Sequence, residues 1–141
     1  MIILDTNVLS ALMQQMADQV VVAWLDEQPV ESIWITSITL FESRYGLALL
    51  PVGQRQAALQ ARFDSLLRDD LANRVLLFDA FAAGEAAALA AARKVRGQPV
   101  DMRDTFIAGI AQARRATLAT RNLRHFDDLT VPVVNPWAGK P

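Results

Sequence analysis

Met1-Ile-Ile-Leu-Asp-Thr-Asn7 opens the chain, and its reading decides the architecture. The aliphatic run Ile2 to Leu4 makes a short strand of the buried type, and an amphipathic helix follows through Val8, Leu9, Leu12 and Met13, with Thr6 or Asn7 as its cap. That order leaves Asp5 at the carboxyl end of a strand.

The same alternation runs outward along the chain. A helix is predicted over residues 18–28, where Val21, Val22, Trp24 and Leu25 supply the apolar stripe and Pro29 ends it. Residues 33–36 form a second strand, and Ser37 caps a helix through Ile38, Phe41, Tyr45 and Leu49 that Pro51 and Gly53 close. Glu42 lies inside this helix with Gly46 one turn later. Residues 54–68 read as an amphipathic helix, 75–78 as a third strand and the alanine-rich 81–95 as a helix. A Gly97-Gln-Pro99 loop delivers Asp101 and Asp104 to the start of a helix through Phe106, Ile107, Ile110 and Ala111, and strands follow at 117–120 and 131–134. No repeat, low-complexity tract or long linker interrupts the pattern, so one domain is expected over residues 1–141. The fold class is α/β, a three-layer sandwich whose central, mostly parallel five-stranded sheet is flanked by helices. Ligands of such sheets bind outside the carboxyl ends of the strands.

With 52% apolar residues, a chain of 141 residues can bury a sizeable core. It has no cysteine and one histidine, His125, which excludes disulfides, thiolate metal sites and a multi-histidine zinc cage within one chain. A metal here would be held by oxygen. The chain starts directly on a strand-like run, without the parts of a signal peptide, and no run of apolar residues is long enough to span a membrane; a cytoplasmic protein is expected. Net charge is −1, but residues 1–50 carry six acids against Arg44 alone, while residues 91–125 carry eight bases against Asp101 and Asp104. The basic stretch would suit a polyanion lying across a metal site, or it is a set of solvated helix faces.

Asp5, Glu42, Asp104 and Asn122 all fall where strand ends and helix starts could gather them at one edge of the sheet. Singly, Asp5 and Asp104 read as helix caps, Glu42 as a solvated glutamate and Asn122 as a turn residue. Together they need a reason, because carboxylates forced into one place repel unless a cation neutralises them. Mg²⁺ or Mn²⁺ is the economical choice: both take oxygen ligands and keep waters that can be activated for attack on phosphorus. His125, in a loop behind Arg121 and Arg124, reads as a surface or phosphate-contact residue and less readily as a general base. Trp24 and Trp34 read as core; Trp137, beyond the last strand, is expected to pack against a partner chain.

Four segments carry a family resemblance: Ile3-Leu-Asp-Thr-Asn7, Glu42-Ser-Arg-Tyr-Gly46, Asp104-Thr-Phe-Ile-Ala108 and Ala119-Thr-Arg-Asn122. They resemble the motifs of PIN-domain ribonucleases in the order and spacing of the bacterial VapC toxins, essentially end to end. Asn135-Pro-Trp137 and the overall length look like the FitB branch of that group. The resemblance implies a Mg²⁺- or Mn²⁺-dependent endoribonuclease, usually dimeric, inhibited by a small antitoxin that also binds DNA. It implies that Asp5 and Asp104 are principal metal ligands, that Glu42 is the acid on the helix after the second strand, and that Thr6, Asn7, Gly46 and Thr120 support them. Asn122 falls where many members carry a fourth acid. Gly46 is expected to give close packing beside Glu42. Arg103, Arg121 and Arg124 are the candidate RNA contacts. Two other readings remain: a catalytically inert metal-binding module acting through protein or nucleic-acid contacts, and a phosphotransfer enzyme using Asp5 as nucleophile. The second departs from the D-x-D pattern of such enzymes, since residue 7 is Asn.

Overall fold

The computed structural model describes residues 1–138; residues 139–141, the end of the span expected for one domain, fall outside them. Five strands, β1 (Ile2–Leu4), β2 (Ile33–Thr36), β3 (Val75–Leu76), β4 (Thr117–Ala119) and β5 (Val133–Val134), form one sheet in the order β3-β2-β1-β4-β5. Every adjacent pair is parallel, with Ile2 opposite both Ile33 and Thr117. The first strand of the chain is therefore the central strand of the sheet. The helices are α1 (Thr6–Met13), α2 (Gln19–Asp26), α3 (Ser37–Ala48), α4 (Gln54–Ser65), α5 (Ala80–Val95) and α6 (Met102–Arg114).

Period-two alternation along the strands divides the core into two halves. Ile3, Trp34 and Leu118 pack on one face with α5 and α6, around Leu89, Ile107, Ile110 and Phe126. Leu4, Ile33, Ile35 and Ala119 pack on the other with Val8, Leu9, Val21 and Phe63 from α1, α2 and α4. Ile3, Phe63 and Phe126 are wholly buried, and each such side chain contributes about 1.5–3 kcal/mol relative to exposure. These are the three expected layers. Trp24 and Trp34 both pack against the core, as expected.

Local boundaries differ from the sequence reading, and the reasons are hydrogen bonds. The cap of α1 is Asp5, which accepts from the backbone N–H of Thr6 at 2.8 Å, and neither Thr6 nor Asn7. The cap of α3 is Thr36, accepting from Thr39 N, while Ser37 Oγ turns away to accept from Phe78 N. Asp101 caps α6 by accepting from Asp104 N at 3.0 Å, so Asp104 stands in the first turn, clear of capping duty. The helix expected over 54–68 ends at Ser65 and passes into a π turn, Leu66–Asp70. The last three strands are shorter than predicted at their ends, and Leu77 is exposed where the third strand was expected to continue.

Candidate functional site

The carboxyl edge of the sheet collects the acids. Asp5 leaves central β1 with its backbone N–H bonded to Ala119 O across β4, and the side chain is 4% exposed. One carboxylate oxygen accepts from Thr6 N; the other accepts from Thr120 Oγ1 at 2.7 Å and Asn7 Nδ2 at 3.4 Å. Thr6 Oγ1 in turn donates to Glu42 Oε1 at 2.9 Å and lies 3.0 Å from Thr39 Oγ1. Burial raises the Asp5 carboxyl to about 6, against the lowering effect of its bonds to Thr120 and Thr6, and the charges of Asp104 and Glu42 push it further up. Asp5, just past β1, thus feels the charges of an acid on α3 and an acid on α6.

The two outer acids meet basic side chains of the chain. Arg103 Nη1 stands 3.6 Å from Glu42 Oε2, and His125 Nδ1 stands 2.9 Å from Asp104 Oδ2. As these side chains stand, no three His, Asp or Glu residues among the described ones form a group that could hold a metal ion. The donor set nonetheless fits a hard divalent ion: all-oxygen, carboxylate-rich and built around an acid whose pKa is raised first by burial and further by two neighbouring charges. A bound dication would reverse the sign of that tension at Asp5.

Residues 2–131 match the PIN domain. The chain belongs to the PIN-domain family. It is 39% identical to VapC ribonuclease Y4jK of Sinorhizobium fredii over 97% of this chain and 98% of that protein. It is 36% identical to toxin FitB of Neisseria gonorrhoeae, over 97% of this chain and 99% of that one. The solved structure of FitAB bound to an IR36 DNA fragment superimposes with a TM-score of 0.90 at 35% identity, covering 100% of this chain and 99% of that chain. Fold class and family resemblance are as the sequence led us to expect.

Other expected site residues of this PIN domain take different places. Asn122 is exposed, its backbone N–H bonded to Thr120 Oγ1, and its side chain makes no hydrogen bond among the described residues. Thr120, by contrast, touches Asp5 directly. A Cβ on Gly46 would meet nothing within 4 Å, so close packing beside Glu42 is not its reason; it lines an open groove together with Glu42. Trp137 is half-buried and already engaged within its own chain: its indole N–H donates to Asp18 at 2.8 Å and the Arg121 guanidinium lies 4.2 Å over its ring. Arg121 also bonds Asn7 Oδ1 through its backbone N–H. Arg124 borders a recess of about 300 Å³ shared with Asp104 and His125. The sequence reading missed the His125–Asp104 pair. It also took Arg93 for part of a solvent-facing basic stretch, whereas Arg93 is 5% exposed and bound to Asp128. The only prior signal was its position on the stripe shared with Ala82, Ala86 and Leu89.

Proposed function

We propose that this chain is a metal-dependent endoribonuclease that hydrolyses RNA phosphodiester bonds, the toxin of a type II toxin–antitoxin pair. The observation that carries the reading is the buried Asp5 at the end of the central strand, with Glu42 and Asp104 close enough to raise its pKa, in a PIN domain. Asp5, Glu42 and Asp104 are the residues to hold Mg²⁺, with Mn²⁺ as substitute. When bound, the ion supplies Lewis-acid stabilisation of charge developing on the phosphoryl oxygens. Thr6, Asn7 and Thr120 fix both oxygens of Asp5, so the central carboxylate is oriented before substrate arrives. Asn122 stands at the rim, where its amide can orient water. Arg103, Arg121 and Arg124 hold the phosphates of a single strand laid along this edge.

The test is cleavage of RNA by the purified chain with added Mn²⁺ or Mg²⁺, reversed by EDTA, set beside Asp5→Asn. Loss of at least a hundredfold in rate with retained folding supports the assignment; an Asp5→Asn protein cutting at the wild-type rate removes it. An inert module would show metal binding without cleavage.

Partners follow from the surface. A groove of about 940 Å³ between α1, α3 and α4 is lined by Met13, Leu47, Ala58 and Leu59 and runs up to Thr6 and Glu42. It suits an apolar segment of a small DNA-binding antitoxin whose arginine could reach the acids. Ala58→Arg in the groove should abolish co-purification of that partner, and retained co-purification would rule the groove out. On α3, Phe41 and Tyr45 stack at 5.7 Å on the outside and exposed Leu49 continues the row, a face for a second copy of this chain in a homodimer.

A further inference from the structure

Arg93 is the one arginine among the buried polar residues described, and its contacts tie α5 to two other segments, α6 and residues 125–128. From the last turn of α5 its Nε and Nη2 grip both oxygens of Asp128 at 2.8 Å each. Nη1 donates to Thr105 Oγ1 of α6 at 3.2 Å, and Nη2 donates to the backbone carbonyl of His125 at 2.8 Å. Thr105 is the neighbour of Asp104, and its hydroxyl donates on to the carbonyl of Asp101, the residue whose side chain caps the Asp104 N–H. His125 reaches Asp104 Oδ2 with its ring. Both the helix start that presents Asp104 and the 3₁₀ turn Leu123–Phe126 that presents His125 are therefore fastened to one buried guanidinium.

We propose that Arg93 is a positioning residue: its fork holds α6 and the Leu123–Phe126 turn in the register that brings the His125 ring onto Asp104, and so sets where the Asp104 carboxylate stands. A planar donor array is needed because three acceptor groups, Thr105 on α6 and His125 O and Asp128 on the following segment, must be met at once, which the ammonium of lysine on a single tip does not do. Groups behind metal-ligating carboxylates fix ligand orientation in this way, and their loss weakens metal binding about 10–100-fold. The inference rests on the metal-site reading for its purpose, but the geometric claim is separable from it.

His125 being the only histidine, its imidazole gives a single set of ¹H–¹⁵N correlations that needs no assignment. In metal-free protein at one fixed pH, Arg93→Lys should move those correlations to the position they take in Asp104→Asn. Asp128 keeps a cationic partner in Arg93→Lys and also in Arg93→Met, because Arg96 bonds it at 2.9 Å, so both variants should fold, as circular dichroism will report. Calorimetric titration with Mn²⁺ should show affinity about tenfold weaker in each. A folded Arg93→Lys or Arg93→Met whose imidazole signals and Mn²⁺ affinity match wild type overturns the proposal, and so does a change confined to melting temperature. If wild type binds no Mn²⁺, the metal reading fails while the imidazole signals still decide the positioning claim.

Discussion

Asp5 is held in a conflict that a cation would resolve. Its carboxyl, with a pKa of about 6 against the ordinary 3.8, prefers its proton when folded. The stability this confers is whole below about pH 4 and is lost as pH rises through 6, a loss of roughly 3 kcal/mol at neutral pH in metal-free protein. Asp128 runs the other way: the bond from Arg93 lowers its pKa, so its contribution is present above the ordinary carboxylate range and lost as pH falls. Asp5→Asn keeps the cap acceptor for Thr6 and removes the charge. It should melt several degrees above wild type at pH 7.5 without metal, with the gap closing at pH 4.5; equal melting temperatures at both pH values would contradict the account. Asp5 and Asp104 stood out in the sequence because one follows a strand and the other opens a helix, whereas Glu42, inside α3, stood out only through the family resemblance. The contact of His125 with Asp104 was not legible, because it joins residues 21 positions apart, and Thr120, expected only as a supporting residue, bonds Asp5 directly across 115 positions.

Element existence was readable from the chain and element edges were not. Polar residues come in runs at the helix starts, Asp5-Thr-Asn and Thr36-Ser among them, and nothing local chooses which one caps. Tertiary bonds choose: Ser37 is drawn off to Phe78 and Thr6 to Glu42, leaving Thr36 and Asp5 to cap. Glycine is a second case in which spacing misled. Gly46 was expected to permit close packing, yet that role belongs to Gly109 of α6, where a Cβ would meet Ala82 O at 2.6 Å and Ala86 Cβ at 2.7 Å. The alanine-rich stretch of α5 is thus a flat surface on which α6 lies backbone to backbone, and that contact carries Asp104 to the site. Gly109→Ala should cost about 1–3 kcal/mol in urea unfolding, since helix backbone must shift to admit the methyl group; an unchanged midpoint would show that the helices are not in such contact.

Across the whole molecule, the basic stretch of residues 91–125 is less of a polyanion surface than its charge count suggested. Arg93 and Arg96 are spent on Asp128 and Arg114 on Asp79, which leaves Arg103, Arg121 and Arg124 near the acids. Sequence segments sum charges that the fold then pairs with partners far along the chain. Aromatic exposure was equally invisible, because Phe41 and Tyr45 occupy helical positions that could have faced inward. If their stacked face joins two copies, Phe41→Glu with Tyr45→Glu should give a monomer in sedimentation equilibrium at micromolar concentration, where wild type is a dimer; a wild-type monomer would remove the dimer from the proposal.

The central place of β1 has a practical outcome. Thr117 N bonds Met1 O, so the first residue enters at the amino edge of the sheet, roughly 10 Å or more of strand away from the acids. Trp137 instead lies beside Arg121, at the carboxyl edge. An affinity handle or surface tether placed ahead of Met1 would leave the cleft open to a long polymer, whereas one joined a few residues after Trp137 would be anchored beside the rim of that cleft and compete with whatever enters it.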